Sequence, residues 1–120
     1  MGLFTPEQAR AELAALRPLL DELVVVRADM VELSAALATG GPPTALGGRP
    51  EQKAAEARLN ELMTAVQETG AELKGVAPLL IDFPADLDGV PVLLCWLEGE
   101  PELAWYHRAG LGFAGRRRLP

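Results

Sequence analysis

The chain reads as an α+β protein: a long antiparallel helical hairpin over 5–70, followed by a small antiparallel three-stranded β unit over 71–120. Three observations predict this. Apolar residues recur at intervals of three and four through two long segments, and a Gly/Pro-rich stretch separates those segments. After residue 71 the texture changes to short apolar runs broken by turn residues. At 120 residues there is room for one modest core, so the chain is read as a single domain, 1–120.

The first helix is expected over 6–38. Thr5 suits an N-cap, Pro6 the first helical position, and Gln8 completes a capping box with Thr5. Leu13, Leu16, Leu20, Leu23, Met30 and Leu37 then form a coiled-coil-like seam, which Arg27 and Ser34 interrupt. Pro18 lies inside this pattern and is expected to bend the helix, because it removes a backbone bond and crowds the previous turn. The run Val24-Val25-Val26 adds apolar surface beyond a narrow stripe. Residues 39–50, TGGPPTALGGRP, are a connection of glycines and prolines that favours no regular structure. A second helix follows over about 50–69, with Ala55, Leu59, Leu62 and Val66 on one side and Gly70 placed to end it.

In the β unit, 79–84 reads as a strand, Asp86-Leu87-Asp88-Gly89 as a turn, and 90–97 as a second strand. Glu98-Gly99-Glu100-Pro101 then leads to a third strand over 102–107. A four-residue turn sets Leu97 opposite Glu102, Trp96 opposite Leu103 and Leu94 opposite Trp105. That register puts Cys95 and His107 on opposite faces. Both faces come out mostly apolar, so both need cover.

Charge and cysteine content narrow the class. Net charge is −6, from 17 acidic and 11 basic side chains, which argues against a nucleic-acid binder despite Arg116-Arg117-Arg118. The single cysteine allows no internal disulfide. Met1-Gly2-Leu3-Phe4-Thr5-Pro6 lacks the basic and apolar regions of a secretory signal, and no apolar run approaches the ~20 residues needed to span a bilayer. A cytoplasmic protein with no nucleic-acid or membrane partner is expected.

Several short motifs together carry a family likeness. They are Phe4-Thr5-Pro6-Glu7, Leu16-Arg17-Pro18-Leu19-Leu20, Asp82-Phe83-Pro84, Leu94-Cys95-Trp96, Gly99-Glu100-Pro101, His107 and Gly112-Phe113-Ala114-Gly115-Arg116. On these the chain resembles the bacterial domain-of-unknown-function family DUF2203. Members usually show Trp immediately before the histidine, where this chain has Tyr106 with Trp105 one place earlier. The resemblance implies a helical hairpin followed by a small β unit, and it implies no activity.

Chemistry, if present, is expected in the β unit. His107 is the only histidine and the first candidate for proton transfer or metal binding, with Asp82 and Glu100 as carboxylate partners for a divalent metal. The competing reading is that His107 caps a strand end. Arg116, in a Gly-flanked loop, is a candidate to grip a carboxylate or phosphate, or to pair with Asp82 or Glu100. Asp82, Glu100, His107 and Arg116 are thus the candidate ligand-binding set, and Asp82, Glu100 and His107 the candidate metal set. Cys95 has apolar neighbours and reads as a buried, inert thiol, and Trp96 and Trp105 as a core aromatic pair. Two functions follow. The first is a non-catalytic interaction protein that self-associates as a homodimer through its helices. The second is a small metal- or ligand-binding enzyme or sensor, favoured if the four candidate residues cluster.

Overall fold

A computed structural model describes residues 3–120; Met1 and Gly2, the start of the segment read above for a signal sequence, lie outside the described residues. Helix α1 (Pro6–Ala38) begins at the expected capping box. The Thr5 N–H donates to Gln8 Oε1 at 3.0 Å, and the Gln8 N–H donates to Thr5 Oγ1 at 3.1 Å. Two otherwise orphaned donors are satisfied reciprocally. Helix α2 (Arg49–Glu68) is opened by Gly48, whose N–H donates to Glu51 Oε1 at 2.7 Å. It ends at Gly70, where φ is 96°. No helix among the described residues is long and apolar enough to cross a membrane.

The chain forms two compact units, one of residues 17–65 and the other of residues 1–16 with 66–120. In the first, Leu20, Leu23, Leu33 and Leu62 are buried. Ser34, which interrupts the apolar seam, accepts a hydrogen bond from Gln52 Nε2 at 3.1 Å. Arg58 grips Glu22 through two bonds of 2.6 and 2.7 Å and holds its carboxyl below the ordinary carboxylate value. Both hairpin arms are thereby tied at two heights.

The second unit contains one antiparallel sheet in sequential order: β1 (Glu72–Val76), β2 (Leu79–Leu87), β3 (Val90–Leu97), β4 (Trp105–Arg108) and β5 (Arg117–Arg118). The α+β class holds, but the sheet has five strands rather than three. Each addition has little apolar signal. β1 is ELKGV with a register shift between Leu73 and Gly75, and β5 is two exposed arginines. Asp88 and Gly89, with φ of 52° and 83°, make the two-residue turn that joins Leu87 to Val90. Pro84 turns its carbonyl away from β3 to accept the Phe4 N–H at 2.8 Å. Its missing N–H faces that same side, so the β2·β3 ladder loses nothing.

The expected β3·β4 register is corrected by one residue: Cys95 pairs with Trp105 and Leu93 with His107. The cause is the connection. Leu97 to Glu100 closes on itself, through Glu100 N–H to Leu97 O at 2.9 Å and Leu97 N–H to Glu100 Oε1 at 2.7 Å. Residues 101–104 then form an extra excursion before the strand resumes at Trp105. A one-residue slip exchanges the faces of a strand. The inner face therefore carries Leu79, Ile81, Phe83, Ala85, Val92, Leu94 and Trp96, all buried. Ala9, Leu13 and Leu16 of α1 are buried in the same unit, and Phe4 meets Phe83 edge-on at 5.2 Å. The outer face carries Asp82, Cys95, Trp105 and His107.

The connection 39–50 contributes only half-buried Leu46, Gly47 and Gly48, and Thr44 and Gly47 close a tight turn on each other. Loop length affects closure entropy only slowly. Replacing residues 41–48 by a short Gly-Ser linker that ends in Gly keeps the α2 start. It should move the melting temperature by less than about 4 °C, under about 1 kcal/mol for a chain of this size. Thermal unfolding followed by circular dichroism measures this, and a larger drop would show that the loop packs on the hairpin.

Candidate functional site

Asp82 on β2 and Cys95 on β3 are direct cross-strand partners, and His107 on β4 pairs with Leu93, two residues along the same face from Cys95. The corrected register thus puts Cys95 and His107 on one side of the sheet. All three residues are buried, and their potential ligand atoms lie within 4.8 Å of one another.

The hydrogen bonds of His107 define its chemistry. Nδ1 lies 3.0 Å from the carbonyl oxygen of Arg108. A carbonyl only accepts, so Nδ1 carries a proton. Nε2 faces Asp82 Oδ2, 3.2 Å away, and in the neutral ring it would present a lone pair to it. Two acceptors cannot face each other at that distance in a buried site without a positive charge between them, supplied by a proton or a cation. The second carboxylate oxygen, Oδ1, is buried and meets no N–H or O–H donor of the protein. The Cys95 thiol is the only other hydrogen-bonding neighbour of this carboxylate among the described residues. A buried carboxylate oxygen served by no more than a weak thiol donor is rare.

Cys95 stands beside this pair. Burial pushes its thiol up to about 12, and the adjacent Asp82 carboxylate pushes in the same direction. The thiol is therefore protonated at neutral pH and unreactive, as its apolar neighbours suggested.

Glu100 and Arg116 form a second cluster on the same strands. Arg116 Nη2 donates to both Glu100 oxygens at 2.7 Å, and lies 3.4 Å from the carbonyl oxygen of Cys95. Its guanidinium sits 4.9 Å from the Trp105 ring and 4.7 Å from the Phe113 ring, on a loop tightened by the 3₁₀ turn Phe113–Gly115. Trp105 thus serves as an outer platform for arginine, whereas Trp96 is a core residue whose indole N–H donates to Glu100 O at 2.9 Å. Of the two acids considered for Arg116, Glu100 is its partner. Glu98 is occupied as well, accepting the Leu79 N–H at 2.8 Å.

The four candidate residues thus gather as two adjacent pairs, Asp82 with His107 and Glu100 with Arg116, around Cys95. The family model for an uncharacterized conserved protein, DUF2203, matches residues 2–119. The chain belongs to the DUF2203 family. No curated protein and no solved structure matches it. In this DUF2203 chain both carboxylate oxygens of Glu100 are held by Arg116, and one also accepts the Leu97 N–H. Glu100 is therefore not part of the group with Asp82 and His107, in which the Cys95 thiol stands instead. Cys95 was missed as a member of this cluster because its place depends on the β3·β4 register.

Arg116 and Glu100 keep about a tenth and a fifth of their side-chain surface exposed. Arg116→Ala removes the two charge-assisted bonds and the guanidinium between two rings. The expected loss is about 1–3 kcal/mol of unfolding free energy. Urea denaturation of the two proteins measures it, and a loss well below ~1 kcal/mol would show the pair acting as a solvated one.

Proposed function

We propose that this DUF2203 protein is a small binding protein that takes up a divalent cation on the outer face of its sheet, between Asp82 and His107. One observation carries this reading: a buried imidazole nitrogen and a buried carboxylate oxygen face each other at 3.2 Å, with the second carboxylate oxygen meeting no N–H or O–H donor. The Nδ1–H bond to the Arg108 carbonyl fixes the ring so that Nε2 is the free ligand atom, the usual outer-shell support of a metal-binding histidine. The side chains are 5% and 3% exposed, which suits a sensor or a structural site better than open catalysis. Protein purified without an affinity tag should carry, or take up in a calorimetric titration, one divalent transition ion per chain. His107→Ala should abolish that uptake. Wild-type protein that carries none and binds none overturns the reading and leaves His107 as a strand-end cap.

A second role, self-association through the helical hairpin, is supported by separate residues. Val25 and Val31 on α1 are 59% and 65% exposed, and a depression of about 290 Å³ is lined by Arg27, Met30, Val31, Ser34 and Leu59. An exposed Val31 beside the Met30 and Leu59 of that depression favours an interface between copies of the chain. Light scattering at micromolar concentration should give twice the 12.8 kDa chain mass, falling toward one chain mass in Val31→Glu. A wild-type mass of one chain removes this role.

A further inference from the structure

We infer that Cys95 is the third ligand of the cation site, so that the site is a thiolate–imidazole–carboxylate centre selective for zinc-class ions. This rests on the reading of Asp82 and His107 as a cation site. The three residues come from three adjacent strands and are buried, with their ligand atoms within 4.8 Å of one another. A tetrahedral centre with bonds of about 2.0–2.3 Å holds its ligand atoms about 3.3–3.7 Å apart. Closing the present spread takes a contraction of about 1 Å, within reach of side-chain rotation.

Charge and donor type point the same way. A dication bound by one carboxylate, one thiolate and one neutral imidazole forms a group of zero net charge, the only kind that burial tolerates readily. Without a metal, the same pocket holds a protonated thiol and an unpartnered Asp82 Oδ1. On binding, a metal–Sγ bond forms and the thiol proton leaves to solvent. Magnesium and calcium require six or more oxygen ligands, and this pocket offers one carboxylate. Zinc, or cobalt in its place, takes N, O and S donors together. The fourth position falls to Asp82 Oδ1 or to a small molecule from solvent.

Cobalt(II) titration of the untagged 120-residue chain tests this with an optical readout. The wild type should develop intense thiolate-to-cobalt charge-transfer absorption in the near ultraviolet, with tetrahedral ligand-field bands in the visible, saturating at one cobalt per chain. Added zinc should bleach both, and a large excess of magnesium or calcium should not. Cys95→Ser, checked for fold by circular dichroism, should lose the charge-transfer band and bind cobalt at least tenfold more weakly. Cobalt uptake that needs His107 but gives no charge-transfer band in the wild type overturns the thiolate assignment and leaves the Asp82–His107 site standing. No cobalt or zinc uptake at all overturns both.

Discussion

Most of what is chemically notable in this protein depends on a single ladder, the pairing of Cys95 with Trp105 across β3 and β4. Side chains alternate across a sheet, so that pairing decides which residues share a surface. It turns His107 outward, toward Asp82 and Cys95, while the β2·β3 ladder holds Val92, Leu94 and Trp96 inward with Ile81 and Phe83. The slip that separates this arrangement from its neighbour is one residue long. The Leu97–Glu100 turn enforces it, because Glu100 uses its backbone and its carboxylate together to close on Leu97.

The outer face solves a problem that the inner face does not have. It carries charge, so each polar group needs a partner of the right kind in a place with little water. Glu100 and Arg116 neutralise each other and are braced by Trp105 and Phe113. Because Arg116 comes from the closing segment, this pair also fastens that segment over the sheet edge, next to the Leu119 N–H bond to Ala104. Asp82 and His107 are joined differently. Their mutual contact uses one carboxylate oxygen and leaves the other bare. Each cluster leaves one buried atom without a partner, Arg116 Nε in the first and Asp82 Oδ1 in the second. The first, however, is an ion pair closed by two bonds of 2.7 Å, whereas the second leaves a carboxylate oxygen, a possible ligand atom, open beside an imidazole and a thiol.

What the sequence disclosed was what is encoded within a few residues. The Thr5–Gln8 box, the Gly70 stop and the Asp88-Gly89 turn are local, and each appears where its residue types place it. The α+β class and the family likeness were legible for the same reason, since they rest on periodicity and short motifs. Asp82, Glu100, His107 and Arg116 were legible as residues with chemistry, but not as two pairs. Their sorting requires knowing that residues 101–104 loop out before β4, and no side chain there announces it. β1 and β5 were illegible because backbone pairing alone defines them: one is interrupted at Gly75, and the other is a pair of exposed arginines. Cys95 was read correctly as buried and inert, yet burial and inertness in the free protein are compatible with ligation once a cation replaces the proton.

The proposed cation site would also carry a thermodynamic consequence for a protein of this size. A chain of 120 residues has limited apolar area, and two of the buried side chains on its outer face are polar ones, Asp82 and His107. Unoccupied, that face holds an unmet carboxylate oxygen, which works against folding. Occupied, it cross-links three consecutive strands at their centre and removes the unmet group. Binding to the folded chain alone then adds stability in proportion to the logarithm of cation concentration, about 2.7 kcal/mol at a hundredfold excess over the dissociation constant. For a marginally stable domain that is a large fraction of the total. Under the proposed reading, such a site would couple the availability of a metal to the order of the sheet and of the Arg116 segment fastened over it, with no catalytic step required.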